Sequence, residues 1–189
     1  MLNYIGTENI ETERLILRKF EENDAGSVLK NWASDKEVQS LYSEPVYETM
    51  QQVKELLDKY IDNYKDKNYY RWAIILKNAN ECIGQIAYFM VNESNHFAEI
   101  EYCIGREFQG VGYATEAAKA VISFGFEKMN LHKVQICHKA MNQKSKRVIE
   151  KCGLTYEGTL RDFFFVENKY VDRLYYSILK KEYEAIYKS

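Results

Sequence analysis

The sequence predicts an α+β domain built around a mixed sheet, and three observations carry that expectation. The chain has 189 residues, close to the roughly 150 of one ordinary domain. It contains one proline, Pro45, and no Gly/Ser-rich or low-complexity stretch that would mark a linker. Its hydrophobic period switches between that of strands and that of helices in the order β, α, α, β, β, β, α, β, α, β, β. Residues 1–189 are therefore read as a single domain.

Each element has its own signal. Arg14 to Phe20 alternates Leu15 and Leu17 against Ile16 and Arg18, a strand pattern, and Asn23 or Asp24 is placed to cap a helix running to about Ser34. From Thr49 to Lys65, Val53, Leu56, Leu57, Tyr60, Ile61 and Tyr64 recur on one helical face. Strand-like runs at Tyr69 to Lys77, Cys82 to Val91 and Phe97 to Gly105, joined by polar turns, read as an antiparallel meander. After Gly112 the period changes: Ala114, Ala117, Ala118, Val121, Ile122, Gly125 and Met129 share a helix face. A strand at His132 to His138 leads to a helix from Asn142 that ends before Gly153, and strands at Leu154 to Val166 and Val171 to Leu179 close the chain.

Composition narrows the function classes. Hydrophobic residues make up 46% and charged residues 29%, values that exclude disordered, collagenous and membrane-spanning chains. The 26 basic and 28 acidic residues leave a net charge of -2, so no whole-chain field draws nucleic acid or anionic lipid. The longest apolar run, Ile86 to Val91, falls far short of the roughly 20 residues that span a bilayer, and Met1 to Ile10 has neither a basic start nor an apolar stretch. A cytoplasmic location is expected. Cys82, Cys103, Cys137 and Cys152 are too scattered for a zinc or redox motif and are read as core thiols, and with His96, His132 and His138 equally dispersed no metal is assigned.

The informative junction is Gln109-Gly110-Val111-Gly112-Tyr113-Ala114, where a strand ends and a long helix begins. Two glycines let the backbone turn so that consecutive N–H groups and the positive end of the helix dipole face one anion. A P-loop would end in GK[ST], and a dinucleotide fingerprint would need a third small residue where Thr115 stands. A packing turn is the plain alternative. About thirty residues on, Asn142-x-x-Ser145-x-x-Val148-x-x-Lys151-x-Gly153 follows the next strand, with Asn142 also readable as a simple N-cap.

Together these motifs resemble the GCN5-related N-acetyltransferase (GNAT) family, whose acetyl-coenzyme A loop is matched by Gln109, Gly112 and Ala114. The likeness covers nearly the whole chain: Glu13 to Arg18 with Asp24 is similar to the N-terminal strand of the ribosomal-protein N-terminal acetyltransferase branch, Phe97 to Ile104 to the family's fourth strand, and Tyr170 to Tyr183 to its closing strand. The resemblance implies a mixed, mostly antiparallel splayed sheet of about seven strands flanked by helices. It implies acetyl-coenzyme A as cosubstrate, with Cys103, Ile104 and Gly105 pairing with the pantetheine arm, Gly110, Val111, Gly112, Tyr113, Ala114 and Thr115 around the pyrophosphate, and Gln109, Asn142 and Ser145 also binding the cosubstrate. Two positions depart from the pattern: Val111 stands where relatives often have Lys or Arg, and Glu101 where they often have glycine. Lys128, Lys133, Lys139, Lys144, Lys146, Arg147 and Lys151, against the one acid Glu150, offer a compensating basic segment that is also readable as a solvated helix face.

The implied reaction, acetyl transfer to a primary amine, needs a neutral amine, an oxyanion donor and a proton for the departing thiolate. Glu99 and Glu101 share one strand face; Glu99 is the first choice of base, since it matches the histone-acetylating branch's glutamate, Glu101 the second, and a water-only route the third. In ribosomal members a sixth-strand glutamate takes that role, but Phe164 falls there, with Asp162 and Glu167 the nearest carboxylates. The Cys103 N–H is the expected oxyanion donor and Ser145 the proton source. The acceptor is expected to be a protein or peptide N-terminal amine, attacked directly in a ternary complex. A polyamine or other small amine is the alternative, and a nucleic-acid-binding module, resting on the basic segment, the reading from another class. Trp32, Tyr42 and Tyr47 are candidate acceptor contacts. Monomer and homodimer are left open.

Overall fold

The structure is a computed structural model that describes residues 1–42 and 44–188. Strand alternation sets its layers. In β2 (Leu15–Arg18) Leu15 and Leu17 are fully buried on one sheet face, while Ile16 packs towards the other. A short β1 (Ile10–Glu11) precedes it. β3 (Tyr70–Leu76), β4 (Glu81–Asn92) and β5 (Phe97–Ile104) form the expected antiparallel meander. β6 (Lys133–Lys139), β7 (Thr155–Val166) and β8 (Lys169–Leu179) complete an eight-stranded sheet of order β1-β2-β3-β4-β5-β6-β8-β7. All neighbours are antiparallel except β5 and β6. That parallel pair requires a crossover, and α4 (Tyr113–Glu127) supplies it.

Helices cover both faces. α4 buries Ala117, Ala118, Val121 and Ile122 against one face; Ile149 of α5 (Gln143–Lys151) and Tyr183 of α6 (Lys180–Tyr187) join the same core. On the other face lie α1 (Ala25–Val28) with a π turn at Leu29–Ala33, α2 (Lys36–Tyr42) and α3 (Met50–Asn63). Thr49 starts α3 through a reciprocal box: its Oγ1 accepts from the Gln52 N–H at 3.3 Å, and Gln52 Oε1 accepts from the Thr49 N–H at 3.0 Å. Val53 and Leu57, at 0% and 1% exposure, each contribute roughly 1.5–3 kcal/mol by leaving water.

Four features differ from the sequence expectation. β1, α2 and α6 were not anticipated: β1 is two residues long, and α2 and α6, at 7 and 8 residues, are shorter than the window in which a helical pattern stands out. Asp24 does not cap the first helix; its carboxylate takes both Nη atoms of Arg18 at 2.8 Å and the Glu21 N–H. That fork ties the end of β2 to the helical layer.

β4 carries a bulge between Tyr88 and Met90, opposite Glu99 and Ile100. The extra residue, Phe89, raises local twist next to the place where β5 and β6 part. Among the described residues no helix is long and apolar enough to cross a membrane.

Candidate active site

β5 and β6 pair from Phe97↔Lys133 to Ile100↔Ile136, and beyond Ile100 β5 keeps only β4. The gap is the splay that the resemblance implies. It opens into a cavity of about 440 Å³ bounded by Tyr102, Cys103 and Ile104, by the turn from Gln109 to Thr115, and by the first turn of α5.

Gly110 and Gly112 take φ of +85° and +98°, the left-handed region that a Cβ disfavours. Gly112 is the N-cap of α4, so the N–H groups of Tyr113, Ala114 and Thr115 precede the first intrahelical bond, from Glu116 N to Gly112 O at 3.0 Å. Gly110, Gly112, Tyr113, Ala114 and Thr115 line the cavity; Val111 does not, and its side chain is 56% exposed. Arg14 braces the turn without lining the cavity. Its Nη1 donates to the Val111 carbonyl at 3.0 Å, its Nε to Glu116 at 2.7 Å, and its guanidinium covers the Tyr113 ring at 4.6 Å. No sequence signal beyond its strand singled Arg14 out, because its partners lie about a hundred positions away. Gln109 also spans the cavity rim, giving its amide N–H to the Ile104 carbonyl at 2.9 Å and accepting from Lys144 Nζ at 2.8 Å.

Two expectations at this end are corrected. Gly105 does not line the cavity: its N–H goes to the Ile83 carbonyl at 2.8 Å, and a Cβ would meet the Asn31 carbonyl at 2.6 Å, so it is a packing glycine beneath the π turn. The Cys103 peptide faces β4, not the gap. Its carbonyl lies against Gly84, and peptide groups two residues apart point the same way, so its N–H follows that of Gly105 towards β4. The peptides turned to the gap are those of Tyr102 and Ile104. The Cys103 side chain is buried, and burial pushes its thiol up to about 12, as befits a core thiol.

Asn142 and Ser145 sit together as expected. Asn142 Oδ1 accepts from the Ser145 N–H at 3.1 Å, capping α5, and Ser145 Oγ lies 2.8 Å from the Tyr102 hydroxyl. Burial drives the Tyr102 phenol well above its ordinary range, so it stays protonated beside the serine. Lys144, Arg147 and Lys151 line the cavity; elsewhere in the basic segment Lys133 pairs with Glu157 and Lys146 with Glu150. The left-handed glycine turn, the open strand edge and these three cations fit a phosphorylated cosubstrate with an extended arm.

A second cavity of about 220 Å³ shares Leu41, Tyr42, Tyr102, Asn142 and Ser145 with the first and continues between α2, β6 and β7. Glu101 reaches it. Its Oε1 accepts from Arg71 Nη2 at 2.6 Å and from the Tyr42 hydroxyl at 2.8 Å, while Oε2 has no hydrogen bond from any described residue. Arg71 is itself held by Gln85 at 2.7 Å and by the face of Tyr60 at 4.6 Å.

Glu99, the first choice from sequence, has another place. It is 2% exposed, lines neither cavity, and is enclosed by Arg173 Nη2 at 2.5 Å and Gln135 Nε2 at 3.0 Å. The β5–β6 register, Glu99↔Gln135, sets that glutamine directly beside it. Phe164 lines the second cavity, but neither Asp162 nor Glu167 does. Of the candidate acceptor contacts Tyr42 lines both cavities, Trp32 is 2% exposed in the core, and Tyr47 packs against that core.

Comparison with known proteins agrees with this geometry. The family description "Acetyltransferase (GNAT) domain" matches residues 14–155. The chain is 32% identical over 176 residues to the uncharacterized N-acetyltransferase p20 of Bacillus licheniformis, covering 93% of this chain and 98% of the relative. Its fold superposes with a TM-score of 0.77 on a Vibrio cholerae spermidine N-acetyltransferase in complex with CoA and spermine, at 27% identity over 91% of this chain and 99% of that one. A ribosomal-protein-S5-alanine acetyltransferase from Vibrio fischeri shares the fold, with a TM-score of 0.79 at 20% identity, covering 93% and 98%.

Proposed function

The chain belongs to the GNAT acetyltransferase family, and on that premise we propose that the amine it acetylates is the N-terminal amine of a protein or peptide. As a family member it is an enzyme that transfers an acetyl group from acetyl-coenzyme A to an amine.

One observation carries the choice of acceptor: among the described residues the acceptor-side cavity offers a single carboxylate, Glu101, and half of that is engaged by Arg71 and Tyr42. An α-amine of pKa about 7.8 is roughly one-seventh neutral at pH 7, whereas a lysine-like amine near 10.4 is neutral to about 0.04%. A site with one partly occupied base suits the first far better than the second.

In the proposed reaction the amine enters beside Tyr42 and Phe89 and its nitrogen attacks the thioester carbonyl directly. The N–C bond forms, and Glu101 Oε2 takes the amine proton directly or through one water. A gap-facing N–H of Tyr102 or Ile104 holds the oxyanion. As the C–S bond breaks, the Ser145–Tyr102 hydroxyl pair returns a proton to the thiolate. Cys103 takes no covalent part, because a thiol at about 12 offers little thiolate near neutrality.

A polyamine acceptor is the second reading, favoured by the spermine-bound relative and by the tyrosines around Glu101. Free thiol release from acetyl-coenzyme A, measured with short peptides of free N-terminus and with spermidine, separates the two. Peptides should give the larger kcat/KM; preferred turnover of spermidine would overturn the assignment.

A further inference from the structure

The acids around the acceptor cavity are matched one by one. Glu101 has Arg71 at 2.6 Å and Glu99 has Arg173 at 2.5 Å. Glu44, whose carboxyl is raised by burial and by Glu101, does not line the cavity. Among the described residues one cation is left over. Lys139 stands on β6 just past the point where β5 departs, lines the cavity, and is 4% exposed. It forms no ion pair with a described carboxylate. Its ammonium instead donates to the Ser40 carbonyl, near the C-terminal end of α2, and lies 4.9 Å over the Phe164 ring. Burial lowers its pKa, opposed only by the Cys137 thiol.

We propose that Lys139 sets the charge preference of the acceptor, so that the cavity takes amines carrying a carboxylate or other anionic group near the attacking nitrogen and turns away amines with a second positive charge. An ammonium has three donors, and a carbonyl and an aromatic face satisfy it less well than a carboxylate would. Lys139 already fills the position at the negative end of α2 where a second ammonium would otherwise be welcome. A polycation would be brought against a like charge inside a cavity of low dielectric. This inference rests on the proposed function only in taking the acceptor to be an amine that enters by this cavity.

The test uses two matched pairs of acceptors: Gly-Glu-Ala against Gly-Lys-Ala, and β-alanine against ethylenediamine. Each is measured with saturating acetyl-coenzyme A and, where turnover is slow, as binding to the coenzyme A-loaded protein by calorimetry. Wild type should favour the anionic member of each pair by at least tenfold, with the ratio shrinking as salt is added. Lys139→Met should bring the ratio close to one, Lys139→Glu should invert it, and Lys139→Arg should keep it. No charge preference in wild type, in rate or in binding, overturns the proposal without recourse to any variant, as does a preference that survives Lys139→Met unchanged. If the small amines react and the peptides do not, the N-terminal reading fails while the charge ratio of the small pair still decides the role of Lys139.

Discussion

The two ends of the β5–β6 gap are built by opposite means. At the proposed cosubstrate end the frame is backbone, the turn at Gly110 and Gly112, the free N–H groups that open α4 and the capped start of α5, with the cations Lys144, Arg147 and Lys151 set around it. At the acceptor end the groups are side chains from β3, α2, β5, β6 and β8, held by pairs 30 and 74 positions apart, Arg71–Glu101 and Arg173–Glu99. A backbone site tolerates side-chain change but not an added Cβ at the turn. A side-chain site tolerates backbone wear but not the loss of one member of a pair.

The largest effect expected from this contrast is on stability, at the acceptor end. Glu99→Gln leaves Arg173 without its counter-charge and should cost about 3 kcal/mol, the scale for breaking a buried pair, measured by urea unfolding. Its kcat/KM, corrected for folded fraction, should change by only a few-fold.

At the cosubstrate end Gly112→Val combines a φ of +98° with bulk beside the Arg14 guanidinium. It should weaken coenzyme A binding at least tenfold, about 1.4 kcal/mol; unchanged calorimetric affinity would reduce the turn to packing. Asn142→Ala removes a cap and should cost about 1 kcal/mol of stability, with cofactor affinity falling alongside. Ser145→Ala should instead lower kcat and leave the melting temperature and the KM for acetyl-coenzyme A nearly unchanged.

The smallest effect concerns the strap between the halves. Arg106 donates to Asp35 at 2.7 and 2.8 Å, joining the turn after β5 to the start of α2, and this hydrogen bonding holds the Asp35 carboxyl below its ordinary range. A depressed folded pKa gives stability that is present above the unfolded value and is lost as pH falls through the folded one. Because Arg106 is half exposed, Asp35→Asn should cost at most about 1 kcal/mol at pH 7. The gap between variant and wild type should narrow as pH falls below the ordinary carboxylate range in thermal melts.

The same contrast explains what could be read in the sequence. The glycine turn, the Asn142 cap, the Thr49 start of α3 and the meander are local, carried by residues within a few positions of one another. The splay followed from the resemblance alone. The acceptor end was legible as two carboxylates on one strand face and as Tyr42 among three candidate aromatic contacts. Nothing near Glu99 announces that Arg173 closes over it, or near Arg14 that Val111 will need its guanidinium. The peptide direction at Cys103 depends on β4 register, which a single strand does not encode. Lys139 was visible only as one member of a basic run, although the fold gives it a place apart from Lys144, Arg147 and Lys151.

In the proposed reaction Glu101, not Glu99, faces the acceptor amine. The pH dependence of kcat/KM for Glu101→Gln, set beside that of Glu99→Gln with a peptide acceptor, tests it most directly. Loss of the base should lower the Glu101→Gln rate by roughly 10² at pH 7, with recovery as pH rises towards the acceptor's own pKa, while Glu99→Gln keeps the wild-type profile. A pH-dependent loss in Glu99→Gln with Glu101→Gln unaffected would contradict the claim.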